Sequence, residues 1–322
     1  MAENIRDRYG SSRGPTKNGL RIAHWNMQSL GLGKGCGRSK FNAARCMVLR
    51  SNFHLFALSE TWLTEKVPEH RHRIADYACE RSNRLNGRAA GGIIVYIHDS
   101  LQYTRITAAE GGSNIQIMVL RVTRPFLVDV VIIYNPPTSD SSHVKDFTLV
   151  LASIFAFRHR PAVPVPIVLL GDININLFDR EKYTNISINQ MDSVLQRVQI
   201  EQIVTRITRL DSDALLDHIY IDTTSLHRII ECDVIRHTKS DHDIIFCVVA
   251  RIRNGKRARV RGLGEMAAHY AQLCQRYTAR KVHERTARKD IRAGEAKANK
   301  AFATASAKLT LLEWLQDFNV EE

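Results

Sequence analysis

The 322-residue chain is short of several things, and each shortage removes a class of function. Its longest apolar stretches, such as residues 128–134 and 163–170, fall well below the ~20 residues a membrane-spanning helix needs. Residues 1–19 are polar and have no apolar centre, so they do not read as a secretory signal. The six cysteines contain no C-x-x-C pair, which argues against a zinc knuckle or a thioredoxin-like site and for reduced intracellular thiols. Neither G-x-S-x-G nor G-x-x-x-x-G-K-[ST] occurs, which removes the Ser-centred nucleophile elbow and the P-loop. No internal repeat or extended low-complexity tract is present. Acidic residues are also scarce: 33 stand against 46 Lys and Arg, a net charge of +13. The excess is uneven, because the segment from Arg251 onward holds 16 basic and 8 acidic residues, +8 of the +13. A basic excess of this size suits a polyanion, most often nucleic acid. Its bland alternative is a tail that serves only solubility or nuclear import. The expected location is intracellular and nuclear, with no membrane partner.

What is present is enough for a packed core: 44% hydrophobic and 25% charged residues. From Leu20 to Ala250 short β-like runs alternate with helical stretches. Runs rich in β-branched and aromatic residues lie at 20–26, 55–59, 92–98, 115–122, 127–134, 167–171, 216–221, 229–235 and 244–250. Segments 40–52, 143–159 and 189–199 carry apolar residues at three- and four-residue spacing, as amphipathic helices do. Several strands are separated only by a turn, which predicts hairpins and mixed sheets. Nine or more strands are too many for one open sheet, so two packed mixed β-sheets with helices outside are expected. The domain expectation is a loose leader at 1–18, one α/β domain at 19–251 and a basic helical extension or linker at 252–322. In that extension Leu309, Leu312 and Leu315 form a small amphipathic patch suited to docking on a partner or on the domain.

Carboxylates, amides and histidines gather at strand ends. The first run leads into H-W-N-M-Q, placing Asn26 and Gln28 at its end, and the second into S-E-T-W, placing Glu60 there. Another ends in Y-N-P-P just after Tyr134, and another in G-D-I-N, with Asp172 and Asn174 at a Gly-initiated turn. Asp217 begins a later run, and Ser240-Asp241-His242-Asp243 precedes the last. Each alone reads equally well as a turn former or a loop satisfying its own backbone. Together they read as functional groups at one edge of a rigid scaffold. The chemistry they suit is metal-assisted phosphoester hydrolysis. Glu60, with Asn26, Gln28 or Asp241, offers the hard oxygen ligands that Mg²⁺ prefers. Asp172 suits a general base or acid, Asp217 suits holding His242 in one tautomer, and Asn174 and Tyr134 suit donation to a charged transition state. His70 and His72 make an H-x-H pair with no evident third ligand. Trp25, next to Asn26, should point into the core, while Trp62 is either core or a base-stacking platform.

The ordered series W-N-M-Q-S-L, L-S-E-T-W-L, I-I-Y-N-P-P, L-L-G-D-I-N, L-L-D-H-I-Y and S-D-H-D resembles the endonuclease/exonuclease/phosphatase superfamily. The V-T-R-I-T…L-L-D-H-I-Y block at 204–220 and the S-E-T-W-L block are most similar to the apurinic-type endonuclease domains of non-LTR (LINE-like) retrotransposons. The resemblance implies a four-layer α/β sandwich and a Mg²⁺ cofactor, with Mn²⁺ as a substitute. It implies a DNA endonuclease that leaves a 3′-hydroxyl, which in the retrotransposon branch primes reverse transcription. It further implies Glu60 as the main metal ligand with Asn26 beside it, and Tyr134 on the scissile phosphate. Asp172 and Asn174 would take the proton-transfer and transition-state roles. Asp217 would orient His242, and Asp241 would support the metal or His242. Gln28 departs from the pattern, since abasic-site enzymes have an acidic residue there. No aromatic-x-Asp-Asp tetrapeptide or C-C-H-C knuckle is found, so a reverse transcriptase or RNA partner is expected to be one that this chain does not encode. The chain reads as a fragment, a truncated copy or a free-standing relative. The alternatives are an abasic-site repair nuclease or phosphatase of the same fold, or a catalytically inactive nucleic-acid-binding remnant.

Overall fold

Runs of β-branched and aromatic residues form the central strands, and helices with one apolar face cover them. In the computed structural model, residues 19–32, 39–83, 91–106, 114–139, 142–156, 165–183 and 185–251 are described. The expected leader at 1–18 and extension at 252–322 lie outside these residues. In chain order the strands are β1 (Leu20–Asn26), β2 (Leu55–Ser59), β3 (Tyr77–Ser82), β4 (Ile93–His98), β5 (Gln102–Ile106) and β6 (Gln116–Arg124). They continue as β7 (Val128–Tyr134), β8 (Ile167–Asp172), β9 (Ile200–Gln202), β10 (Asp217–Asp222), β11 (Ile229–Ile235) and β12 (Ile244–Val249). The helices are α1 (Ser39–Ser51), α2 (Ser142–Ala156) and α3 (Asn185–Val198).

Two 6-stranded sheets result, ordered β11-β12-β1-β2-β4-β3 and β5-β6-β7-β8-β10-β9. Both are mixed: β1 runs parallel to β2, and β7 parallel to β8, with antiparallel pairs elsewhere. The sheets meet face to face where β1 and β2 approach β8 and β12 approaches β10. Outside the first sheet, α1 buries Phe41, Ala44 and Val48 from one of its faces. These pack with Trp25, Phe53, Phe56 and Phe246. Outside the second, the Phe147 ring of α2 lies 5.9 Å from Tyr220 of β10, and α3 pairs with α2. The layers are helix, sheet, sheet, helix, the sandwich that the sequence led us to expect.

All nine expected strands are present, and β3, β5 and β9 are additional. Helix α3 begins four residues before the expected 189, and Ile188, three residues before Met191, continues the buried face backwards. The β-branched isoleucines of that turn weaken its helical signature. Among the described residues no helix is long and apolar enough to cross a membrane.

Candidate active site

The two parallel strand pairs end side by side, and their C-terminal ends carry the polar residues. On the first sheet Asn26 is the register partner of Ser59, so Glu60 follows directly beside it. On the second, Tyr134 pairs with Asp172, and Asp172 in turn pairs with Asp217 at the start of antiparallel β10. His242 precedes β12 and is held from the first sheet: the Trp25 indole N–H donates to its carbonyl at 2.8 Å. Ser240 Oγ donates to the Asn26 carbonyl at 2.6 Å, tying that loop to β1. Gly171 allows the second sheet to close here. A Cβ at that position would lie 1.8 Å from the Ile133 carbonyl oxygen of the neighbouring strand. The Gly of G-D-I-N is therefore a packing requirement that sets Asp172 in place.

Asn26 stands at the centre. Its amide donates to Glu60 Oε1 at 3.0 Å and to Asp172 Oδ2 at 2.7 Å, and its oxygen accepts the Gln28 N–H at 3.0 Å. Asn174 donates to Asp172 twice, from its backbone to Oδ1 at 3.1 Å and from its amide to Oδ2 at 3.0 Å. The same amide donates to the Asn135 carbonyl at 3.0 Å. His242 Nδ1 lies 2.7 Å from Asp217 Oδ2. Ligand atoms of Asp172, Asp217 and His242 all fall within 4.8 Å of one another. Gln28, Ser29, Glu60, Trp62 and Asn174 all have positive φ, a concentration of backbone strain of the kind that accompanies functional loops.

The electrostatics follow from burial and from these neighbours. Burial raises Asp172, and the carboxylates of Asp217 and Glu60 add to it. His242 and the Asn26 N–H oppose the rise, leaving Asp172 at about 7. Burial lowers His242, but Asp217 and Asp172 outweigh it and hold the imidazolium up to about 10. Burial raises Asp217, yet His242, then His24 and Thr208, bring it below the usual carboxylate range. Near neutral pH the cluster therefore holds an imidazolium, a carboxylate and a carboxyl poised between its two forms.

The structure brings Asn26, Glu60, Asp172, Asn174, Asp217 and His242 together where the two sheets meet, with Tyr134 the register partner of Asp172. Asp241 lies beside this group with its Oδ2 ion-paired to Arg209 Nη2 at 2.5 Å, while its Oδ1 is buried without a hydrogen-bond partner. Gln28 joins through its backbone N–H. Trp62 is 40% exposed, with its indole nitrogen 3.4 Å from Glu60 Oε2, so it is not core. Trp25 is core as expected, and also anchors His242. His72 is engaged by Cys79 and Arg81, and among the described residues the one cluster of possible metal ligands holds neither it nor His70.

Sequence reasoning missed four contributors. Thr208 Oγ1 accepts the N–H groups of Leu216 and Asp217, both at 3.0 Å. Asn135 donates to the carbonyls of His143 and Ile173, fixing the loop that carries Asn174. His143 Nε2 lies 3.1 Å from the Asn174 carbonyl. His24, fully buried, faces Asp217 from β1. Strand alternation is the signal that would have found His24, since it shares a face with Asn26 two residues on.

No family model matches the chain, and no curated protein matches it either. Solved structures do. The AP endonuclease LMAP from Leishmania major superposes with a TM-score of 0.60 at 13% identity, covering 78% of this chain and 96% of that one. The 3′-5′ exonuclease NExo from Neisseria meningitidis gives a TM-score of 0.55 at 17% identity, covering 72% and 100%. The endonuclease domain of TRAS1, a telomere-specific non-LTR retrotransposon, gives 0.53 at 14% identity, covering 72% and 98%. The sandwich described above is thus shared with these proteins nearly end to end, and the chain has the endonuclease/exonuclease/phosphatase fold.

Proposed function

We propose that the protein is a divalent-metal-dependent DNA endonuclease that nicks one strand and leaves a 3′-hydroxyl, as in target-site cleavage by non-LTR retrotransposons. The observation that carries this reading is the cluster in which Asp172, buried and poised near 7, lies between the two amides and the Asp217–His242 pair. The donor set fits Mg²⁺ or Mn²⁺. Glu60 and Asp241 bring hard carboxylate oxygens, one of them a buried Oδ1 without a partner, and Asn26 stands beside Glu60. Burial raises Asp172 most, and the Asp217 and Glu60 carboxylates add a repulsion that a dication would relieve. When bound, the ion supplies Lewis-acid stabilisation of charge on a phosphate oxygen.

The chain's own residues supply the rest. Asp172 takes a proton from the attacking water as its oxygen bonds to phosphorus. The bond from phosphorus to the 3′-oxygen then breaks, that oxygen takes a proton from solvent water to leave as the 3′-hydroxyl, and the phosphate stays on the 5′ side. The His242 imidazolium, kept charged and oriented by Asp217, offsets negative charge accumulating on the phosphate. Asn174 and Tyr134 add neutral donors to the same centre. The V-T-R-I-T…L-L-D-H-I-Y and S-E-T-W-L blocks, together with Gln28 in place of an acidic residue, favour target nicking over abasic-site repair.

Incubation of the full chain with supercoiled plasmid in Mg²⁺ or in EDTA tests this. Nicked circles should accumulate only with the metal, and the nick should be extendable by a DNA polymerase without prior trimming. A strong preference for a duplex containing an abasic site over an intact one would replace target nicking by repair. Equal nicking in EDTA would remove the metal.

A further inference from the structure

The Asp217 carboxylate faces two histidines. His242 takes one oxygen at 2.7 Å, and His24 Nδ1 lies 3.5 Å from the other. Both His24 and Asp217 are fully buried between the sheets, where no solvent can substitute for a missing partner. His24 Nδ1 and Asp217 Oδ1 are both buried with no hydrogen-bond partner, and 3.5 Å separates them. The far side of the His24 ring is fixed as well, with Nε2 3.0 Å from the Ser59 hydroxyl on the adjacent parallel strand.

One proton arrangement satisfies this chain. An ionised carboxylate can only accept, so the atom facing Asp217 must be the ring N–H. A neutral imidazole has one such proton, so Nε2 must then be the acceptor, and Ser59 must donate to it. Ser59 thereby selects the tautomer that serves Asp217. Thr208 immobilises the backbone of Asp217 and helps to keep its carboxylate ionised, while the His24 ring lies opposite Oδ1. Without that ring the carboxylate could turn about χ2 and carry the imidazolium with it.

We propose that His24 is a positioning residue: held by Ser59, it pins the second oxygen of Asp217 and so fixes the His242 imidazole toward the scissile phosphate. The inference rests on the nuclease reading above, because His24 touches no reacting atom and acts only through Asp217.

Three substitutions at His24 separate positioning from packing. His24→Asn keeps an amide nitrogen near the place of Nδ1, His24→Gln keeps one near the place of Nε2, and His24→Phe fills the space with no donor. In single-turnover nicking by the full chain, Phe and Gln should lower the rate by about 10- to 100-fold, with the substrate concentration at half-maximal rate little changed. Asn should recover most of that loss. In histidine-labelled protein the His242 Nδ1–H resonance should move in the Phe and Gln variants and stay near its native position in Asn. Ser59→Ala, a milder change, should shift the same resonance and slow nicking, and it decides the matter if His24→Phe does not fold. An Asn variant as impaired as Phe would mean that His24 only fills space. A native rate and a native resonance in His24→Phe, or in Ser59→Ala, would overturn the proposal. If the unaltered protein nicks no DNA, the nuclease reading fails, and the resonances alone still decide whether His24 holds Asp217 and His242.

Discussion

At Asp172, burial and the carboxylates of Asp217 and Glu60 favour the neutral acid, while His242 and the amide of Asn26 favour the anion. A group balanced near neutrality gives and takes a proton at low cost, which is what a hydrolytic step requires of it. Asp172→Asn keeps the shape and much of the hydrogen bonding but cannot exchange a proton. It should lower the nicking rate by about 10²- to 10⁴-fold, with DNA affinity measured by fluorescence anisotropy little changed. A variant that turns over normally at saturating Mg²⁺ would take Asp172 out of the mechanism. His242 offers a second test that needs no activity. Its value in the folded protein, about 10, lies above the ordinary 6.5. Its stabilising contribution is therefore fully present below that ordinary value and is lost as pH rises toward 10. In EDTA, urea unfolding of the unaltered protein should show stability falling between pH 7 and pH 9. His242→Gln should flatten that fall by up to about 1.4 kcal/mol per pH unit, one proton's worth of linkage. An identical slope in the variant would mean that His242 is not held charged.

At the scale of elements, the close approach of β7 and β8 decides where the Asp172 turn sits. Gly171→Ala would press a methyl group onto the Ile133 carbonyl, a backbone atom in the middle of a sheet that cannot move aside cheaply. The substitution should cost about 3 kcal/mol or more in thermal or denaturant unfolding, and should impair nicking through displacement of Asp172. A native melting temperature would show that the two strands can part. Elements also mark where the sequence was and was not legible. Interior strands such as β2 and β8 are buried on both faces and read as near-continuous apolar runs, L-F-A-L and I-V-L-L, up to their polar ends. The three that were missed all lie at sheet edges: β3 ends the first sheet, and β5 and β9 bound the second. Edge strands show one flank to solvent, so Y-A-C-E-R-S and Q-Y-T-R-I carry polar residues where a core strand would not. Strand β9 spans only 3 residues, too few for any period to show. The site had the same limit. Strand-end carboxylates stood out as motifs, whereas Thr208, Asn135 and His143 act through backbone groups brought near only by the fold.

For the molecule as a whole, the sandwich carries the residues of the proposed chemistry, and the basic charge is the feature suited to a polyanion such as DNA. The segment from Arg251 onward carries +8 of the net +13 without any strand-end carboxylate motif. We propose that residues 252–322 act as a separate basic module that adds non-specific affinity and takes no part in the chemistry. Each phosphate that a Lys or Arg neutralises releases a counterion and steepens the dependence of log affinity on log salt by about 0.9. A chain ending at Arg251 should therefore nick plasmid at a similar saturated rate and bind DNA more weakly at low salt. Its salt slope should also be shallower, by about 0.9 for each phosphate no longer neutralised. The comparison is made by anisotropy titrations of the full and shortened chains at four or five salt concentrations. An unchanged slope would identify the segment as a solvated linker, its charge serving solubility alone. A shortened chain that no longer folds would instead show that the segment packs on the sandwich. The amphipathic stretch around Leu309, Leu312 and Leu315 would then be the place to look for that packing, and both the module and the linker would be wrong.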